Sequence, residues 1–290
     1  MTSPRRRWIH QVTASALWAG LSPWVRAQPR PAALRITALP EEPGPELARR
    51  LAPLLRHLES ALGQAVEFVP ASDQATAIDF VVSKRADMAW LSGYGLVQAL
   101  ARAEGRLLPL VQREEDERNR SVFIASDPAI RRLTDLRGKT FSFGAQNSAT
   151  GHLMPRSVLM QAGILAERDF RRLAFSGTHE ATLAAVASGK VQAGVVLAAT
   201  WERRLTEDRQ DPIPVHAFHT TARYCDYSWT VHADMPGSTQ AQIRRSMLAL
   251  NRDTPNGKEI LELARATRYT ETDADNYRAI EAAARSAGLL

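Results

Sequence analysis

From Leu34 onward the chain alternates short apolar, β-rich runs with amphipathic stretches of helical period. That alternation admits few solutions besides an α/β domain built on a largely parallel sheet. Leu34 to Leu39 reads as a strand, Pro45 to Leu62 as a helix closed by Gly63, and Val66 to Val69 as the next strand. A helical stretch over Asp73 to Arg85 and a strand over Asp87 to Leu91 complete a β-α-β-α-β opening. A second series follows the β-rich run 121–125, with Leu133 to Leu136, a strand Thr140 to Phe143 and a helix from about Gly151 to Ala162. It continues through a strand near Arg172 to Phe175, a helix over Glu180 to Ser188 and a strand Val191 to Leu197. A late β segment lies at Tyr227 to His232, and 238–287 reads as helices with an Arg/Glu-rich exposed face.

The two series echo one another. Ser83-Lys84-Arg85-Ala86-Asp87-Met88-Ala89 and Ser188-Gly189-Lys190-Val191-Gln192-Ala193-Gly194 each end a helix, turn, and start a buried strand. At 290 residues the chain has room for two domains that each bury a core. The expectation is two αβ lobes joined by extended crossings at about 121–126 and 225–234: lobe 1 over 33–122 and 230–290, lobe 2 over 123–229. The single cysteine, Cys225, cannot form an intramolecular disulfide, and no Cys/His cluster has zinc spacing, so no metal or other cofactor is expected.

Residues 1–27 read as an export signal. Arg5, Arg6 and Arg7 precede a stretch, Trp8 to Val25, with no charged side chain, and Val25 and Ala27 are the small residues a signal peptidase needs. Cleavage is expected after Ala27 and places the mature chain in the periplasm. The arginines before Trp8-Ile9 also approximate a twin-arginine signal, with a general secretory route as the alternative. The full chain carries 37 Lys plus Arg against 31 Asp plus Glu, a formal +6. Without Arg5, Arg6, Arg7 and Arg26 the balance is 33 to 31, or +2, too small to argue for nucleic acid or a membrane surface.

The most informative segment is Phe143-Gly144-Ala145-Gln146-Asn147-Ser148-Ala149-Thr150-Gly151-His152. It follows a strand, and Pro155 requires the next helix to begin near Thr150 or Gly151. A helix start offers free backbone N–H groups and a positive dipole end, to which Ser148 and Thr150 add hydroxyls and Gly151 close approach. The plainer alternative is a Ser or Thr cap, and one residue can do both. Phe175-Ser176-Gly177-Thr178-His179-Glu180 repeats this logic, with His179 as a neutral donor or a local cap. Asp226 lies at the return crossing and is read as a partner for a ligand cation or a protonated anion, or else for a surface Arg. Trp90, Leu91 and Tyr94 follow a strand where ligands of open α/β sheets bind, although Trp90 equally suits a core. The run 113–120 reads as a solvated mixed-charge loop in which Arg118 or Arg120 offers charge to an anion.

No nucleophile elbow, H-E-x-x-H motif or Gly-Lys-Ser/Thr phosphate loop occurs, which shifts weight from catalysis toward binding.

The mature chain resembles the periplasmic solute-binding proteins of phosphate, phosphite and phosphonate ABC importers. The resemblance rests on Ala89-Trp90-Leu91, Ser121-Val122-Phe123, Asn147-Ser148-Ala149-Thr150-Gly151, and Gly177-Thr178-His179-Glu180 followed by Ala185-Val186-Ala187. It implies a periplasmic binding protein type II fold, a venus flytrap of two lobes hinged by two extended crossings. It further implies capture of a small oxyanion for an ABC permease and ATPase by a monomer that is not an enzyme. Ligand contacts then fall on Ser148, Ala149, Thr150, Gly151, His152, His179, Trp90, Leu91, Tyr94, Arg120 and Asp226. The family's Ser-Thr-Ser triplet is Ser148-Ala149-Thr150 here, Leu91 stands where an aromatic is usual, Asn119-Arg120 replaces an aromatic pair, and a second amine-binding acid matches Ala199. These departures favour a compact, fully charged oxyanion over an aminoalkylphosphonate. Segments 109–117 and 226–231 further resemble a branch of the family assigned to selenate, so selenate joins phosphate, phosphite and phosphonate as a candidate. The alternatives are an enzyme on the same fold acting on a phosphorylated or sulfonated metabolite, and an exported ligand sensor for a membrane kinase.

Overall fold

The computed structural model describes residues 32–207 and 214–290. The leader, with its expected cleavage after Ala27, lies outside the described residues. Strands β1 (Leu34–Ala38), β2 (Val66–Phe68) and β3 (Met88–Leu91) are parallel. They alternate with α1 (Gly44–Leu62), α2 (Gln74–Val82) and α3 (Gly93–Arg102), as the opening pattern predicts for the first two helices. Gly63 closes α1 at a φ of 65°, a left-handed cap at which a side chain would be strained. Strand β4 (Leu107–Arg113) then ends the first pass through this sheet.

The chain next enters a second sheet through β5 (Ser121–Ala125) and β6 (Thr140–Phe143). Then come α4 (Met154–Gln161), α5 (Ala166–Asp169), β7 (Arg172–Phe175), α6 (His179–Ala187), β8 (Ala193–Leu197), α7 (Ala198–Glu207) and β9 (His216–Thr220). It returns to the first sheet with β10 (Ser228–His232), packs α8 (Gly237–Leu248) and α9 (Pro255–Leu263) on it, adds β11 (Tyr269–Glu271) and ends in α10 (Arg278–Ser286). The helical reading of 238–287 therefore holds for three helices and misses one short edge strand. Among the described residues no helix is long and apolar enough to cross a membrane.

The strand orders are β11-β4-β10-β3-β1-β2 and β7-β6-β8-β5-β9. Apart from β11 they are the same arrangement. In each, the second strand flanks the first, the third lies on its other side, and next comes an antiparallel strand, β10 or β5, that neighbours a crossing. The sequence echo falls on equivalent places: Ser83 and Ser188 end α2 and α6, Lys84 and Gly189 take φ of 60° and 70°, and β3 and β8 follow. Each sheet is covered on both faces by buried apolar side chains, giving the two αβ layers of the expected fold class.

The passages between sheets are 114–120 and 221–227, not 121–126 and 225–234 as the sequence suggested. Ser121–Ala125 and Ser228–His232 are buried strands, and their β-rich composition made strand and crossing look alike. The passages are tied together by the Asn119–Tyr224 bridge and by the Asp226 N–H, which donates to the Asp116 carbonyl at 2.9 Å.

The run 113–120 is not the solvated loop its composition implied. Asp116 is buried on a 3-10 turn and takes both arms of the Arg113 guanidinium, at 2.5 and 2.9 Å. Arg113 lies over the rings of Trp90 and Tyr227 at 5.1 and 5.2 Å and donates to the Ala264 carbonyl. Burial pushes Asp116 up to about 6 despite this partner. Its folded value lies above its unfolded one, so the stability it contributes is full below the unfolded value and is lost as pH rises through about 6. Arg113→Met should therefore cost about 3–5 kcal/mol at neutral pH, because it strands a buried carboxylate, and less near pH 4, where that carboxyl is neutral. Urea denaturation at both pH values checks this; equal losses at the two would contradict it.

Candidate functional site

The segment after β6 forms a tight cradle. Ser148 is the N-cap: its Oγ accepts the Gly151 N–H at 2.8 Å, and its carbonyl accepts from both His152 and Leu153. The following turn, Ala149–Leu153, is π-helical and runs directly into α4. Wide first turns of this kind recur at functional sites because they leave donors unspent. Here the Ala149 and Thr150 N–H groups have no main-chain partner among the described residues, and the Ser148 hydroxyl still has its proton to donate. The Ala149 methyl is buried in the apolar cluster of α2, α3 and α10, together with Leu153. The middle position of the triplet thus faces a core and has no use for a hydroxyl. Gly151 does permit close approach, but to main chain: its carbonyl accepts from the Gly144 N–H at 2.8 Å, and a Cβ at 151 would stand 3.2 Å from the Gly144 Cα.

Asp226 is the electrostatic centre of this region. It is 2% exposed, and its Oδ1 accepts the N–H of Gly93 at 2.7 Å and of Tyr227 at 3.0 Å. Its Oδ2 accepts the Thr150 hydroxyl at 3.0 Å. Three donors favour the ionised form, yet burial outweighs them and raises the carboxyl above its ordinary range. The Thr150 carbonyl accepts from Ser121 Oγ at 2.8 Å, and that hydroxyl meets the Tyr224 hydroxyl at 2.8 Å. A continuous buried network therefore joins the first sheet's α3, both passages and the cradle. Tyr227, beside Asp226, has a φ of 26°, a strained value for a bulky residue, held by stacking on Trp90 and by the Tyr277 hydroxyl on its carbonyl.

His179 stands at the start of α6, where its Nδ1 accepts the Leu197 N–H at 3.2 Å. The proton of the neutral ring must then sit on Nε2, and burial holds the pKa below the ordinary histidine value. Leu197 pairs with Ser121 across the sheet, so His179 is anchored one residue pair from the network. The structure thus brings Ser148, Ala149, Thr150, Gly151 and Asp226 together, with His179 near their edge.

The other sequence candidates are taken up by packing or by pairs of their own. His152 packs edge-on to Phe143 and Phe175 with its Nδ1 on the Gln146 carbonyl, pinning the loop from behind. Trp90 is core, 7% exposed between Tyr227 and Trp229, and Leu91 is fully buried. Both belong to β3, whose side chains are consumed by packing on either face. Tyr94 is buried, and its hydroxyl donates to the Leu289 carbonyl. Arg120 pairs with Glu202 of α7 at 3.5 Å, and Arg118 is exposed. Sequence reasoning missed Gly93, Ser121, Tyr224 and the pair Ser92 and Gln74. Of these only Ser92-Gly93, an N-cap after a strand, carried a readable signal.

The probable ABC transporter phosphite-binding protein PhnD1 of Prochlorococcus marinus is 28% identical over 283 residues, covering 93% of this chain and 94% of that protein. The phosphonates-binding periplasmic protein of Escherichia coli is 30% identical over 177 residues, 59% of this chain and 52% of that one. The structure of Prochlorococcus marinus PhnD1 in complex with methylphosphonate superposes with a TM-score of 0.75 at 27% identity, over 89% of this chain and 99% of that one. The family model described as "ABC transporter, phosphonate, periplasmic substrate-binding protein" matches residues 36–277, and the chain belongs to that family.

Proposed function

We propose that this protein is the exported solute-binding component of an ABC importer and that it captures a small oxyanion for a membrane permease and its ATPase. The family is one of transport rather than catalysis. The observation that carries the ligand class is the cradle, in which two unspent N–H groups and a serine hydroxyl converge at a helix start beside Asp226. His179 adds a neutral Nε2–H donor. The lobes are 32–113 with 228–290 and 121–220, closing about the passages 114–120 and 221–227 to strip water from the anion. Cleavage after Ala27 releases the mature chain, which acts as a monomer.

Asp226 selects among oxyanions. A buried carboxylate repels a fully deprotonated anion but accepts a hydrogen bond from one that keeps an acidic O–H. Phosphite, phosphate and phosphonates retain such a proton near neutral pH, whereas selenate does not. This ranks selenate last among the candidates, and the same carboxylate is the one acid placed to meet an amine.

Two measurements test the reading. Calorimetric titration of Ser148→Ala/Thr150→Ala should show affinity for the best oxyanion falling by about a hundredfold or more, with a stability loss of about 1–2 kcal/mol from the lost cap and the lost Asp226 bond. Unchanged affinity would remove the cradle as the site. For Asp226→Asn, the preference for methylphosphonate over selenate should shrink by about tenfold or more at pH 7. A wild-type protein that binds selenate more tightly than phosphite and methylphosphonate would refute the role given to Asp226.

A further inference from the structure

Beside the cradle lies a solvent-open chamber of about 660 Å³ lined by the start of α2, by the length of α3 from Tyr94 to Arg102, by Gln146 and Asn147 of the cradle loop and by Leu290. At roughly 30 Å³ per water molecule it is far larger than a tetrahedral oxyanion needs, and it falls within the usual size of small-molecule sites. Its wall is shared with the network at Asp226. Gln74 Oε1 accepts the Ser92 hydroxyl at 3.2 Å, and Gly93, the next residue, donates to Asp226.

The chemistry of the lining is specific. Gln74 is only 7% exposed, where an apolar residue would be expected to pack, and it gives one N–H to Gln98 Oε1 at 3.4 Å. With Gln146 and Asn147 this makes a set of four side-chain amides around Ile78 and the Tyr94 ring. The two charged side chains of the lining are already engaged. Asp73 caps α2 by accepting the Thr76 N–H at 2.7 Å, and Arg102 pairs with Asp79 at 2.8 Å. A charged substituent therefore meets no uncommitted charged side chain in the lining. Amides that both donate and accept, set among small apolar faces, match hydroxyl groups on a carbon chain.

The geometry points to this chamber as a subsite for the uncharged, hydroxylated organic group of a phosphate or phosphonate ester, whose anionic head occupies the cradle. The inference rests on the oxyanion reading of the cradle, and it departs from the compact bare oxyanion expected from sequence. The Ser148–Thr150 donors would fix the head, and Gln74, Gln98 and Asn147 would read the polyol.

Calorimetric titration of the intact mature chain with methylphosphonate, inorganic phosphate, glycerol 3-phosphate and 2-aminoethylphosphonate separates the two claims. Glycerol 3-phosphate should bind about tenfold or more tightly than methylphosphonate, as two or three added hydrogen bonds allow. Asn147→Leu, an exposed position, and Gln98→Leu should each erase most of that gain, and the loss should be specific to the polyol ester as judged by the ratio of the two affinities. Binding of methylphosphonate without any gain for glycerol 3-phosphate, or a larger gain for 2-aminoethylphosphonate, overturns the subsite and leaves the cradle standing. Failure of all four to bind overturns the cradle and the subsite together.

Discussion

The arrangement of this protein depends on one buried carboxylate. Asp226 holds the Gly93 N–H of the first sheet's α3, the Tyr227 N–H of the return passage and the Thr150 hydroxyl of the cradle. Each partner comes from a different segment, so three segments are referred to one pair of oxygen atoms. A carboxylate is suited to this because it only accepts, and it can satisfy several donors that would each cost about 1–3 kcal/mol if buried unpaired. The cost appears in the raised pKa of the group itself.

The support behind Asp226 is aromatic and cationic. Trp90 stacks on Tyr227 at 5.5 Å and meets Trp229 at 5.2 Å, and Arg113 lies over Trp90 and Tyr227 while gripping Asp116. The Asp116 carbonyl in turn accepts the Asp226 N–H. The strained φ of Tyr227 is thus fixed from both faces, through its ring and through its backbone. A conformation that would relax in a free chain is kept where it aims the Tyr227 N–H at Oδ1. Trp90, which its sequence position offered as a ligand candidate, contributes to the site through rigidity, together with Trp229.

Much of the architecture was legible because local and tertiary preferences agree there. Gly63, Thr140–Phe143 and the Pro155 constraint each gave their element within a few residues, and the echo at Ser83 and Ser188 marks equivalent turns. The passages were misplaced because a buried strand and an extended connection draw on the same residues. The burial of Asp116 was hidden because a charged run states composition, whereas its fate depends on the Arg113 side chain three residues away and on rings from β3 and from the return passage. In the site, Ser148, Thr150 and Asp226 were readable from helix-start chemistry and position. Ser121 and Tyr224 were not, since a hydroxyl in a strand signals nothing until the fold sets it 2.8 Å from the Thr150 carbonyl.

The charge balance of the cradle also follows from these contacts. Among the described residues no Lys or Arg side chain bonds to Ser148, Ala149, Thr150 or Asp226. Arg113 is spent on Asp116, and Arg120 turns away to Glu202. Under the proposed function, the donors that meet an anion there are therefore dipoles: backbone N–H groups, the Ser148 hydroxyl and a neutral imidazole. Dipoles fixed by the fold need no reorganisation when the anion arrives, and they gain strength as water is excluded. They also leave the anion without a salt bridge that would have to be broken for release. Under that proposal Ser148, Thr150 and His179 all lie in the lobe over 121–220, so opening would return water to these donors together, and affinity would follow how completely solvent is shut out.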